Sequence, residues 1–177
     1  MKVAIFPGTF DPLTRGHMDL IKRGRALFDQ LAVAVMTNST KHPLFSIDER
    51  VAQIKEATSG MNNVSVITAS GLTVKLMNKI GADYLMRGLR NTTDFQYERD
   101  IAAMNKFLDK DVETVFFLAD PKYQHLSSSL LKEVAMNGGD ISEYLPGQIN
   151  EALNERLKER KLKLVTEQNE QTETKHK

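Results

Sequence analysis

The chain has 177 residues, 41% hydrophobic and 27% charged, with a formal net charge of +1. That length suits one domain with a buried core, and the near-zero charge speaks against a protein built mainly to grip nucleic acid. There is no cysteine, which excludes a disulfide framework, a thiolate zinc site and a cysteine nucleophile, and fits a reducing cytoplasmic setting.

Val3 to Phe6 is a short apolar run closed by Pro7-Gly8. It is too short for a signal peptide and reads as a strand buried on both faces. A helical pattern follows, with Leu20, Ile21, Leu27 and Phe28 on one face, then a second strand from Leu31 to Met36 and a polar loop from Thr37 to Pro43. Ser46 and Glu49 form a capping-box pair, and Ile47, Val51 and Ile54 continue at helical spacing. Asn62-Asn63 marks a turn before a third strand, Val64 to Ile67. Val74, Met77 and Ile80 predict a short helix with Gly81 as its C-terminal cap. Tyr84-Leu85-Met86 is a weak fourth strand, and Tyr97, Ile101, Met104 and Leu108 share a helical face. Thr114 to Leu118 is a fifth strand. Ser127 to Ser129 can cap a further helix ending at Gly138-Gly139, and Ile149, Leu153 and Leu157 mark a last amphipathic helix. Residues 166–177 carry no apolar side chain, so a single domain over 1–165 followed by a disordered tail is expected. No stretch approaches the roughly 20 apolar residues of a membrane span. Strands alternating with helices predict an α/β architecture, a parallel sheet with helices on both faces.

Ligands of such sheets bind beyond the carboxyl ends of the strands. The loops there carry Thr9, Phe10 and Asp11, then Thr14-Arg15-Gly16-His17 at a helix start, Lys41 after the second strand, Arg87 to Arg90 after the fourth, and Tyr123 to Ser129 with Lys132 after the fifth. Taken singly, each has an ordinary reading. Pro7-Gly8 serves as a turn, Asp11 as a turn or cap, His17 as a first-turn residue, Lys41 as a solvated charge, the arginines as surface ion pairs and the serines as a cap. Hydroxyls, cations and helix N-termini gathered on one sheet edge point instead to a site for phosphates. There is no P-loop, no G-x-G-x-x-G after the first strand, no nucleophile elbow and no His/Asp/Glu run at metal-ligand spacing, so no protein metal site is expected.

Gly8-Thr9-Phe10-Asp11-Pro12-Leu13-Thr14-Arg15-Gly16-His17 resembles the signature of the nucleotidyltransferase superfamily, whose [T/H]-x-G-H element contacts ATP phosphates. Arg87-Gly88-Leu89-Arg90 followed by Asp94 to Glu98, and Ser127 to Val134, resemble the bacterial phosphopantetheine adenylyltransferases. The likeness runs from about Val3 to about Leu157. It implies a Rossmann-like, doubly wound five-stranded sheet of order 3-2-1-4-5 with C-terminal helices, and a switch point between strands one and four. By resemblance, Thr9, Lys41, Thr73 and Arg87 touch phosphopantetheine. ATP falls to Thr9, Phe10, His17, Gly88, Leu89, Arg90, Glu98, and the run Tyr123, Gln124, His125, Leu126, Ser127, Ser128 and Ser129. His17, Lys41, Arg90 and Thr9 would carry catalysis. Arg15 stands where asparagine is common, His42 where lysine is common, and 123–126 is a loose match to a variable loop.

The resemblance implies reversible transfer of the adenylyl group of ATP to 4'-phosphopantetheine by direct in-line attack. Mg2+ would accompany ATP without a dedicated protein cage. A cytoplasmic homo-hexamer with coenzyme A as feedback inhibitor is also implied, with neither nucleic acid nor membrane as partner. Leu72, Thr73, Met77, Met104 and Asn105 are candidates for the pantetheine arm, although the Leu and Met residues serve equally well as core. A nicotinamide mononucleotide adenylyltransferase is the competing enzyme, disfavoured by the RGLR and SSSLLKE segments. A nucleotide-sensing regulator is the non-enzymatic alternative.

Overall fold

The computed structural model describes residues 1–37 and 43–174, with side chains through Arg160 and at Leu162. Five strands, β1 (Val3–Gly8), β2 (Gln30–Met36), β3 (Val64–Ala69), β4 (Tyr84–Leu89) and β5 (Glu113–Leu118), form one sheet in the order β3-β2-β1-β4-β5. Every pairing is parallel, which requires crossovers, and helices supply them. These are α1 (Arg15–Leu27), α2 (Ile47–Ala57), α3 (Thr73–Ile80) and α4 (Thr92–Leu108), with α5 (Ser128–Met136) and α6 (Gly147–Thr174) after the last strand. The doubly wound order expected from the resemblance is the observed one.

Alternation along the central strands divides the core. Ala4, Phe6, Leu31, Val33, Val35 and Met86 meet Leu20 and Ile21 of α1, Ile54 of α2, Leu131 of α5, and Ile149 and Leu153 of α6. On the other face Ile5, Ala32, Ala34 and Leu85 meet Val74 and Met77 of α3. Small alanines there let α3 lie close to the sheet. Burial on both faces is why these strands read as continuous apolar runs. α4 joins this second face, with Phe95 edge-on to Phe116 at 6.1 Å.

Two elements differ from their sequence patterns. β4 extends to Leu89 rather than ending at Met86, because Arg87 and Gly88 interrupt the apolar run but keep pairing with Phe116 and Phe117. The apolar stripe of α4 does not enter the core. Tyr97, Met104 and Leu108 are exposed, while polar Glu98 and Asn105 are the buried positions. The backbone of α6 is helical from Gly147 to Thr174. Among the described residues, no helix is long and apolar enough to cross a membrane.

Candidate active site

The sheet opens at its middle. β1 pairs with β2 along its whole length but with β4 only at Ala4↔Tyr84 and Ile5↔Leu85. Pro7, further along β1, has no amide hydrogen to extend a ladder. Its carbonyl accepts a hydrogen bond from Arg87 Nη1 at 3.0 Å. The rest of that guanidinium is held by Glu98 of α4, with Nε donating to Oε2 at 2.8 Å and Nη2 to Oε1. The planar fork therefore stands fixed in the gap between β1 and β4.

The turn after β1 is built around Phe10. Its φ is 48°, a left-handed conformation that costs a non-glycine residue about 1–3 kcal/mol and persists only when packing enforces it. The ring is buried, 5.4 Å from Phe6 and 5.1 Å from His17. It fills the space over Gly8, where a Cβ would lie 2.9 Å from the ring. Phe10 can thus offer a ligand only its main chain. Thr9 has its carbonyl tied by Arg50 Nη1 at 2.7 Å, and its hydroxyl has no partner among the described residues. Asp11 is buried and structural. Its carboxylate accepts from the amides of Leu44 and Phe45 and from Lys132 Nζ at 2.6 Å. It joins the β1 turn to α5 and to the segment just before α2.

α1 begins in a capping box of an uncommon kind. Thr14 Oγ1 accepts from the His17 amide at 3.2 Å, and His17 Nδ1 accepts from the Thr14 amide at 3.1 Å. Histidine here takes the place usually filled by Glu or Gln. Burial, followed by the positive charge of Arg90, lowers its pKa from 6.5 to about 4. Nε2 has no partner among the described residues. Nor do the Arg15 and Gly16 amides, the first two of the helix.

The loops after β4 and β5 close around this turn. Arg90 grips Asp94 through Nε at 2.8 Å and Nη2 at 3.1 Å, and donates from Nη1 to the Leu126 carbonyl at 3.1 Å. The side-chain hydrogen bonds from Arg90 hold the Asp94 carboxyl below its ordinary value, against the opposing effect of burial. Ser127 Oγ caps α5 by accepting from the Leu130 amide, and Ser128 Oγ donates to the Pro12 carbonyl at 2.9 Å. The Ser129 hydroxyl and the Ser128 and Ser129 amides have no partner among the described residues. Tyr123 lies against Gly16, where a Cβ would come within 3.3 Å. Two helix N-termini, α1 and α5, are thereby tied together beside the β1–β4 gap.

Thr9, Phe10, His17, Arg87, Gly88, Leu89, Arg90, Glu98 and Ser127–Ser129 thus gather on one sheet edge. Gly88 is a packing residue on its Cβ side, since Leu20 fills that space. Tyr123, Gln124, His125 and Leu126 make internal contacts. Gln124 donates to the Ala119 carbonyl, the His125 ring is 6.1 Å from Tyr144, and Leu126 packs on the core. Thr73 opens α3 beyond β3, and no hydrogen bond joins it to the cluster. Met77 is wholly buried core, and Met104 is exposed on α4. Lys41 lies outside the described residues. The capping of His17 by Thr14, the tie of Asp94 to Arg90 and the place of Arg50 were not read from the sequence. For Asp94 the Arg–Asp spacing of four was a usable signal. Arg50 gave none, because its fully buried role depends on the Thr9 carbonyl reaching α2.

A switch-point site of hydroxyls, guanidinium groups and open helix N-termini is the arrangement of a nucleotide-handling α/β protein. The family model described as Cytidylyltransferase-like matches residues 5–134. The chain is 76% identical over 170 residues to a phosphopantetheine adenylyltransferase of Limosilactobacillus reuteri, covering 96% of this chain and 98% of that protein. It is 71% identical over 171 residues to its namesake in Limosilactobacillus fermentum, covering 97% and 99%. Identity to the namesake in Caldanaerobacter subterraneus is 50% over 158 residues, covering 89% and 99%. A solved structure described as a nicotinate-nucleotide adenylyltransferase from Vibrio parahaemolyticus superposes with a TM-score of 0.59 at 21% identity, covering 86% of this chain and 99% of that one, and bears on the fold alone. The chain belongs to the phosphopantetheine adenylyltransferase family of cytidylyltransferase-like nucleotidyltransferases.

Proposed function

We propose that the chain transfers the adenylyl group of ATP reversibly to 4'-phosphopantetheine, giving dephospho-coenzyme A and pyrophosphate, within coenzyme A biosynthesis. The near-full-length likeness to phosphopantetheine adenylyltransferases carries this reading, and the geometry supports a mechanism for it. An oxygen of the acceptor phosphate attacks the α-phosphorus in line. The new P–O bond forms as the bond from the α-phosphorus to the bridging oxygen of the β-phosphate breaks, and pyrophosphate leaves without a covalent enzyme intermediate. The attacking oxygen is already anionic, so catalysis reduces to positioning and charge stabilisation.

Arg87, fixed in the β1–β4 gap, would receive the acceptor phosphate together with the Thr9 hydroxyl, with Lys41 as a further cation carried over from the resemblance. His17 Nε2 can donate to the transferring group. The Arg15 and Gly16 amides, the Ser128 and Ser129 amides and the Ser129 hydroxyl suit the nucleotide phosphates, with Arg90 bracing the loop that carries the serines. Asp11, Asp94 and Glu98 each already hold a cation, and no group of three or more metal-ligating side chains occurs among the described residues. This donor set suits Mg2+ that arrives with ATP and is held by phosphates and water. When bound, the ion would neutralise phosphate charge.

The exposed stripe of Tyr97, Met104, Phe107 and Leu108 on α4 supports a homo-oligomer, with a hexamer as the form carried over from the resemblance. Cytoplasmic location and inhibition by coenzyme A belong to the same reading. Purified protein with Mg-ATP and 4'-phosphopantetheine should yield dephospho-coenzyme A and pyrophosphate in equal amounts, and unphosphorylated pantetheine should yield neither. Adenylylation of nicotinamide mononucleotide alone would refute the reading.

A further inference from the structure

We propose that Thr14 is a positioning residue that holds His17 as a neutral imidazole with its proton on Nε2, so that His17 works as a hydrogen-bond donor and not as an imidazolium. The kinetic side of this rests on the adenylyl-transfer reading above; the tautomer does not.

The geometry leaves one arrangement. A backbone N–H can only donate, and that of Thr14 points at His17 Nδ1 from 3.1 Å. Nδ1 must therefore present a lone pair, and the ring proton of the neutral form sits on Nε2. Thr14 Oγ1 also lies 3.1 Å from Nδ1 while accepting from the His17 amide, so its own hydrogen is free to reinforce the contact. A proton on Nδ1 would face the Thr14 N–H head-on. Flipping the ring would set a C–H there and leave a buried amide unpaired, since Thr14 is itself buried. The Phe10 ring, edge-on at 5.1 Å, and the Phe6 ring at 6.5 Å flank the imidazole.

The charges around the ring push the same way. Arg90, from the β4–α4 turn, acts on His17 directly and disfavours a second cation. Charged groups of the surrounding elements form pairs of their own: Asp11 of the β1 turn with Lys132 of α5, Arg87 of β4 with Glu98 of α4, Arg90 with Asp94, and Asp19 of α1 with Arg23, while Glu133 of α5 is exposed. Arg15, next in α1, is exposed. Among the described residues, no carboxylate acts on the ring to stabilise an imidazolium. A neutral donor forms no salt bridge with ground-state phosphates, and its hydrogen bond strengthens as charge builds on the transferring group, which is where stabilisation raises kcat.

The test uses the full-length protein with 15N-labelled histidine. The chain has four histidines, and His17→Gln assigns the His17 signals by their loss. Wild type and Thr14→Ser should show an unprotonated Nδ1 and a protonated Nε2, unchanged from pH 8 down to about 5.5. Thr14→Val keeps the amide but loses the hydroxyl. With the amide left as the single tie on Nδ1, it should show a measurable share of the Nδ1–H form beside Nε2–H, while burial and Arg90 keep its titration below 6.5. Thr14→Gly, a tolerated helix cap without the hydroxyl, serves if the valine variant does not fold. The ratio of variant to wild-type kcat cancels the titration of the substrates' own phosphates. For serine it should stay within about threefold of unity, whereas for valine kcat should fall at least about tenfold with little change in KM for ATP. An Nδ1–H tautomer in the wild type, a wild-type titration near 6.5, or a wild-type kcat that falls as pH rises through the His17 titration would each overturn the proposal.

Discussion

Leu20 of α1 occupies the space that a side chain at position 88 would need, so strand β4 and helix α1 approach through Gly88. One turn further along α1 the relation is reversed: a Cβ at Gly24 would lie 2.5 Å from the Met86 sulfur. This pair of small-against-large contacts sets the depth of α1 on the sheet, and with it the position of His17 at the helix start. Gly88→Ala should therefore destabilise the fold by about 1–3 kcal/mol, the usual result of overpacking. Leu20→Ala in the same chain should recover part of the loss. Denaturation of the two single variants and the double variant measures the coupling. Additive losses would show that the residues do not compete for one space.

Arg87 takes its orientation from Glu98, and the pair is only partly screened by solvent, with side chains 27% and 9% exposed. Glu98→Gln keeps the shape but removes the charge that anchors the guanidinium. The expected outcome is a modest stability loss, about 1–3 kcal/mol, and a larger rise in KM for the phosphate acceptor than for ATP. Kinetics with each substrate varied in turn checks this. A rise confined to ATP would place Glu98 on the nucleotide itself.

What could be read from the amino-acid order was whatever periodicity and punctuation carry. The buried strands announced themselves because both faces are apolar, and the Ser46–Glu49 box marks the start of α2 in sequence and structure alike. The loops bearing Thr9, His17, Arg87 and Ser127 were identifiable because they follow strands. Pairing was harder to read. Nothing in the order of residues says that Asp11 meets Lys132, 121 positions away, or that Arg50 holds the Thr9 carbonyl. The α4 stripe misleads for a related reason: amphipathicity reveals that a face is apolar but not what covers it.

That stripe makes its own prediction. Phe107 is 84% exposed and Met104 57%, neither supports the core, and charge there should leave the subunit folded. Phe107→Asp with Met104→Asp should lower the assembly state measured by light scattering while far-UV dichroism stays unchanged. An undiminished oligomer would move the interface elsewhere.

Burial along α6 is concentrated near its start. Ile149 and Leu153 are fully buried and Leu157 packs on the core, whereas Leu162 is 68% exposed. Truncation after Val165 should leave activity intact and the melting temperature within about 2 °C, since terminal segments matter by what they bury. Truncation after Gln148, which removes both buried anchors, should abolish soluble protein. A marked loss of stability from the shorter deletion would show that residues 166–177 contribute contacts.

Two pH windows for stability follow from the perturbed groups, and they are separable. His17 is a base whose folded pKa, about 4, lies below its ordinary 6.5. Between those values the unfolded chain binds a proton that the folded chain refuses. Stability should therefore rise with pH across this window and fall on acidification from 6.5 toward 4. Glu49 and Asp94 behave as depressed acids. The Ser46 amide, the foremost cause, and Arg156 lower Glu49 from 4.5, and Arg90 lowers Asp94 from 3.8. Each stabilises the fold above its ordinary value, a contribution lost only as pH falls below that value and through the folded one. His17→Gln should thus flatten the melting curve between pH 6.5 and about 4 and leave the steeper acid limb in place. Glu49→Gln with Asp94→Asn should do the reverse, flattening the limb below roughly pH 4.5 and leaving the upper window intact. Melting temperatures taken every half unit of pH would decide it. If His17→Gln left the upper window unchanged, His17 would be protonated in the fold, contrary to its contacts with Thr14 and Arg90.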